Sequence, residues 1–132
     1  MLTGIIPASW SGPLQSALRI ITGLLFIQHG LAKFTGWPHV DMIGDGFPIT
    51  TFFGALGLIE TILGTAIILG LFTRLIAFLL AGEMAVAYFM AHAPQGFYPI
   101  NNMGEAPIMF CFVFLFLAAA GAGPWSLDAS RK

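Results

Sequence analysis

Apolar residues run along this chain in long blocks, broken by short polar or glycine-rich stretches. Four blocks approach the roughly 20 mostly apolar residues that a helix needs to cross a bilayer. They cover about 14–34, 49–70, 75–91 and 106–120, the last being the shortest. Gly36, Pro38, Gly44, Gly46 and Pro48 separate the first block from the second, and the GAGPW stretch after Ala120 stops the fourth. Between the second and third, Gly70 can end one helix and Thr73 can cap the next, which makes these two antiparallel neighbours. Asn102 to Glu105 has capping-box spacing, with Pro107 near the turn that follows. The pattern predicts an all-α polytopic membrane protein, a four-transmembrane-helix bundle forming one domain over residues 1–132.

Composition narrows the class. Of 132 residues, 58% are hydrophobic and 8% charged, against about a quarter charged in a soluble domain. Five basic and six acidic residues cannot cover the surface of a soluble protein this size. The same figures exclude a disordered tail, and a net charge of −1 without a basic cluster excludes a nucleic-acid binder. Cys111 is alone, so neither an intrachain disulfide nor a CxxC site can form. The N-terminal stretch has no positive n-region and no small-residue cleavage site, and reads as mature protein.

Charge asymmetry orients the bundle. With four spans, Arg19, Arg74, Arg131 and Lys132 share the side of the termini, and Lys33 alone lies on the other side with Asp41, Asp45 and Glu105. Cationic loops stay in the cytoplasm, so both termini are expected inside and the loops at about 35–48 and 92–105 outside. The expected location is the cell (inner) membrane, multi-pass, in contact with the lipid bilayer.

Ionisable residues within spans are costly and need a partner or a function. Arg19 and Lys33 on the first helix, Glu60 on the second and Glu83 on the third are of this kind, with Gln28 and His29 in the outer half of the first. At about 100° per residue, Arg19, Gly23, Phe26, Gly30 and Lys33 form one stripe, and Gly57, Glu60 and Gly64 share a face of the second helix. The glycines let helices approach closely. By depth, a long Arg19 side chain reaches toward Glu83, with Glu60 close by, while Lys33 approaches from the outer side. Two readings stay open: the buried charges only fix which helices pack together, or they line a polar cavity for a ligand, a quinone headgroup or a proton. His29, His39 and His92 show no metal-ligand or haem spacing, so no metal and no intrinsic cofactor are expected. His92, Asn102 and Glu105 lie at the outer mouth, the last two as helix caps.

The stretch LRIITGLLFIQHGLAKFTGW, the segment GLIETILGTAIILGLFTRLIAFLLAGEMAVA, the loop HAPQGFYPINNMGEAP and the ending GAGPWSLD together resemble the DoxX family of small four-helix membrane proteins. The resemblance covers about residues 14–129. Its most specific parts are His29 to Lys33, the run from Glu60 through Gly64 and Gly70 to Arg74, and Gly121 to Asp128. It implies a redox setting, since members occur as membrane subunits of thiosulfate:quinone oxidoreductases and of oxidoreductase complexes linked to oxidative-stress defence. It transfers no catalytic residue.

Three functions follow. The first is a membrane subunit or partner of an oxidoreductase system, itself non-catalytic, with a quinone or a soluble redox protein as partner. His29, Lys33, Glu60 and Glu83 would supply the polar end of a quinone site, and Phe26 with the aromatic fourth helix the apolar slot. The headgroup is expected in the outer half around His29 and Lys33, where a partly shielded imidazole exchanges a proton near neutral pH. The second is a structural or assembly role without chemistry. The third is a small transporter or proton-conducting bundle, which four short helices would form as a homo-oligomer.

Overall fold

The computed structural model describes residues 4–132, which fold into helices and turns with no strand among them. The chain divides into two compact units: residues 4–71 together with Ala122–Lys132, and Phe72–Gly121.

In the first unit a 3-10 turn at Ala8–Trp10 leads into α1 (Ser11–Thr35), and α2 (Phe52–Leu69) packs along it. The buried stripe of α1 contains Arg19, Gly23, Phe26 and Gly30, as the periodicity predicts, extended by Ser16, Thr22 and Ala32. The facing stripe of α2 is Gly54, Gly57, Glu60, Gly64 and Ile67. Thr51 caps α2, its hydroxyl accepting from the Gly54 amide at 3.2 Å. Gly70 ends α2 at φ 68°, a left-handed turn that a side chain would strain. The connector from α1 folds back tightly, the Phe47 amide donating to the Lys33 carbonyl at 2.7 Å.

In the second unit α3 (Thr73–Ala87) continues into a π-helical turn at Tyr88–His92 and a 3-10 turn at Ala93–Gln95. The four-residue α4 (Pro99–Asn102) precedes α5 (Glu105–Ala120), which packs on α3. The core here is Ile76, Ala77, Leu80, Ala81 and Met84 of α3 against Phe114 and Leu117 of α5. Arg74 closes the C-terminal end of α5, donating to the carbonyls of Ala118 (3.3 Å) and Ala119, where a helix leaves acceptors unsatisfied. Returning to the first unit, the chain ends in α6 (Leu127–Ser130), capped by the Ser126 hydroxyl. This last helix has no counterpart in the hydrophobic pattern.

Two expected caps differ. Thr73 is the first residue of α3 and Phe72 holds the N-cap position at φ 49°, so the left-handed residue before the helix falls one position earlier than the expected cap. Asn102 and Glu105 do not form a capping box: Gly104 is the N-cap of α5, with no side-chain cap hydrogen bond. Met103 turns left-handed at φ 58° after α4, which spends the Asn102 carboxamide on the turn itself.

The outward surfaces are those of a membrane protein. Ile21, Leu24 and Leu25 on α1, Ile59 and Ile62 on α2, Phe78, Leu79 and Val86 on α3, and Phe112, Leu115 and Phe116 on α5 are all exposed. Phe52–Leu69 and Thr73–Gln95 are long and apolar enough to cross a bilayer, and Glu105–Ala120 is a shorter apolar helix.

Candidate functional site

Four glycines set the separation of α1 and α2. A Cβ at Gly30 would lie 2.7 Å from the Gly57 carbonyl oxygen, and one at Gly57 would lie 2.6 Å from that of Gly30. One at Gly23 would lie 3.2 Å from the Gly64 carbonyl. The helices therefore run antiparallel with their backbones in contact, Gly30 opposite Gly57 and Gly23 opposite Gly64. Phe26, only 1% exposed, lies against the second crossing, where a Cβ at Gly64 would come within 3.2 Å of its ring.

The charged pair sits at the Gly30–Gly57 crossing. Lys33 Nζ lies 2.6 Å from Glu60 Oε1 and 2.7 Å from Oε2. The Glu60 side chain is 1% exposed and that of Lys33 16%. An ammonium carries three N–H donors. Two face the carboxylate, and among the described residues no acceptor takes the third. Thr61 turns its hydroxyl back to the Gly57 carbonyl at 2.8 Å and stays out of the pair. His29 lies one turn before Lys33 on an exposed flank of α1, within electrostatic reach of both Lys33 and Glu60.

Arg19 occupies the opposite end of the same stripe and is fully buried. Its guanidinium donates to backbone carbonyls: Ala122, Trp125 at 2.6 Å and Ile68 at 3.3 Å. Ile68 belongs to the last turn of α2, and Ala122 and Trp125 to the tail. Asp128 of α6 is the anion that acts on it electrostatically. Gly70 makes room for this clamp, because a Cβ there would run into the Ser126 Cβ and lie 2.8 Å from Arg19 Nη1. Arg19 and Glu60, expected near each other, thus take separate partners. Glu83 lies on α3 in the second unit, half-buried.

His92 and Asn102, two of the residues expected at the outer mouth, belong to a network within the second unit. Asn102 is fully buried. Its amide donates to the Gly96 carbonyl at 2.9 Å and the Tyr88 hydroxyl at 3.3 Å, and its side-chain oxygen accepts from the Gly104 amide at 2.8 Å. The Asn102 backbone carbonyl lies 2.9 Å from His92 Nδ1. Glu105 is exposed in the first turn of α5. Tyr88 was not singled out by the sequence, which shows an ordinary tyrosine in an apolar run; the π turn that brings it beside His92 has no sequence signature. His39 is on the surface, 3.3 Å from Asp41. Among the described residues no group of three or more His, Cys, Asp or Glu is placed to hold a metal ion.

Residues 14–93 match the DoxX family model. The chain is 42% identical over 114 residues to an uncharacterized protein of Haemophilus influenzae, covering 84% of this chain and 85% of that one. It is 29% identical over 151 residues to the uncharacterized membrane protein Rv3486 of Mycobacterium tuberculosis, covering 96% and 91%. A Bacillus subtilis protein named "Putative oxidoreductase CatD" is 39% identical over 112 residues, covering 84% and 81%. No solved structure matches.

Proposed function

The chain belongs to the DoxX family, and we propose that it is the membrane subunit of a quinone-linked oxidoreductase system, crossing the inner membrane four times with both termini cytoplasmic. The 25 residues of α1 span about 37 Å, enough for a bilayer despite their polar positions. Exposed Trp10 and Trp125 lie at the Arg19 end of the first unit and exposed Trp37 just past the other end of α1, matching aromatic belts at two interfaces. The cation imbalance puts the Arg19 end inside.

One observation carries the functional part. The Lys33 ammonium is held by both oxygens of a buried carboxylate, yet among the described residues one N–H has no acceptor, and its side chain is 16% exposed. A site of this kind suits a neutral acceptor such as a quinone carbonyl, which takes one hydrogen bond without displacing the ion pair. Glu60 holds the ammonium in place; His29 on the neighbouring flank adds an imidazole, the side chain most often used for proton transfer. A bound quinone would supply the two-electron chemistry, and a partner protein the electrons. The name of the Bacillus subtilis relative, a putative oxidoreductase, supports the redox setting.

The test is extraction and mass spectrometry of quinones from gently purified protein. Wild type is expected to retain quinone, the folded Lys33→Met/Glu60→Gln double variant to have lost it, and His29→Ala to retain less. A wild type without quinone, or a double variant with the full complement, would overturn the reading. A second reading, assembly without chemistry, is favoured by Arg19, whose hydrogen bonds go to backbone carbonyls. Under it, charge-neutral variants lose partner chains or folding and no ligand.

A further inference from the structure

The second unit carries a polar arrangement that the quinone reading does not use. His92 Nδ1 lies 2.9 Å from a backbone carbonyl, that of Asn102. A carbonyl only accepts, so Nδ1 carries the hydrogen and the neutral ring has its lone pair on Nε2. Among the described residues nothing hydrogen-bonds Nε2, and His92 is half-buried, not sealed.

The neighbour is as constrained. Tyr88 stacks on His92, with centroids 6.5 Å apart and planes within 13°. Its hydroxyl accepts from the Asn102 amide at 3.3 Å, which leaves the phenolic hydrogen to be donated. Asn102 is fully buried and spends both amide hydrogens, its side-chain oxygen and its backbone carbonyl on holding this arrangement. Gly104 is the floor, since a Cβ there would run into the Tyr88 ring. Tyr88 and His92 begin and end a single π-helical turn, a rare conformation often found at functional sites. Phe89 sets its ring edge-on to Tyr88 at 5.3 Å.

We propose that this turn is a binding site for an aromatic hydroxyl, with His92 Nε2 accepting its hydrogen and the Tyr88 hydroxyl donating to its oxygen. One fixed acceptor and one free donor, on parallel rings whose centroids are 6.5 Å apart, together complement a hydroxyl, which offers one hydrogen and two lone pairs. The stacked and edge-on rings around the pair favour a flat, aromatic carrier for that hydroxyl. The site lies wholly within the second unit and does not depend on the Lys33–Glu60 pair.

The experiment uses the full chain in lipid nanodiscs with isotope-labelled histidine, read by nitrogen NMR and titrated with hydroquinone (benzene-1,4-diol). His92 signals are assigned by their loss in His92→Asn. Nδ1 is expected protonated and Nε2 bare, and the Nε2 signal should shift saturably with hydroquinone but not with 1,4-dimethoxybenzene, which has the ring without the hydroxyls. His92→Asn keeps an amide donor for the Asn102 carbonyl and lacks Nε2; it should keep the wild-type melting temperature and bind about tenfold more weakly, the worth of one good hydrogen bond. A protonated Nε2, an equal response to both probes, or unchanged affinity in His92→Asn would overturn the proposal. The two wild-type readings decide it even where the variant does not insert. The Lys33→Met/Glu60→Gln variant should leave the His92 signals and the titration unchanged, which separates this site from the quinone site.

Discussion

Lys33 and Glu60 meet because each leans toward the N-terminus of its own helix, and the two helices run in opposite directions. Long helical side chains point back over the preceding turn. From Lys33 that direction leads to Gly30, and from Glu60 it leads to Gly57, the two glycines in backbone contact. The ion pair and the closest helix crossing are therefore one feature.

That coupling fixes the outcome of breaking the pair. Lys33→Met leaves a buried carboxylate without its cation, a change that costs about 3–5 kcal/mol in soluble proteins. Lys33→Met with Glu60→Leu removes both charges and is expected to recover most of that loss. Thermal unfolding in mild detergent measures the difference; equal losses in the single and double variants would mean the pair is not coupled.

Alanine at the crossing should be far worse than alanine on an open face. Gly30→Ala forces a Cβ to within 2.7 Å of backbone and must push α2 away, at a cost of about 1–3 kcal/mol or more. Gly82→Ala on α3 meets nothing within 4 Å and removes a flexible residue from a helix interior, a gain of up to about 1 kcal/mol. Opposite shifts in melting temperature are the expected result.

Much of this was legible in the sequence. The glycine stripes on α1 and α2 follow from spacing alone, and the helix ends fall within a few residues of the breaks that Gly36, Gly70 and Gly121 mark. The pairing of charges was not legible. Counting two cations and two carboxylates leaves the partners open, and the lean of Lys33 and Glu60 toward each other decides one pair. Arg19 was opaque for another reason: its acceptors are main-chain carbonyls, which every residue carries and no motif announces. The tail that supplies two of them reads as a chain terminus until Ser126 is seen capping α6.

The four-span topology makes a separate prediction. On a Cys111→Ser background, a cysteine at Met42 should react with an impermeant maleimide from outside intact cells, and one at Ser130 only after the membrane is opened. Reaction of position 42 from the cytoplasmic side alone would reverse the orientation.

The tail and Arg19 should behave as one unit. The two terminal nitrogens of the guanidinium reach Ala122, Trp125 and Ile68 together, and a lysine, a point charge on a flexible stem, cannot reproduce that fork. Arg19→Lys is therefore expected to destabilise although it keeps the charge, by about 1.5–3 kcal/mol for each charged hydrogen bond lost. Truncation after Gly121 removes two acceptors and Asp128 at once, leaving the guanidinium with Ile68 as its remaining carbonyl. Each change alone should lower the melting temperature sharply. Together, the truncation and Arg19→Met should cost less than their sum, because the charge that lost its partners is gone. Strictly additive losses would show that the tail stabilises α1 and α2 by packing alone and that Arg19 is not the group it serves.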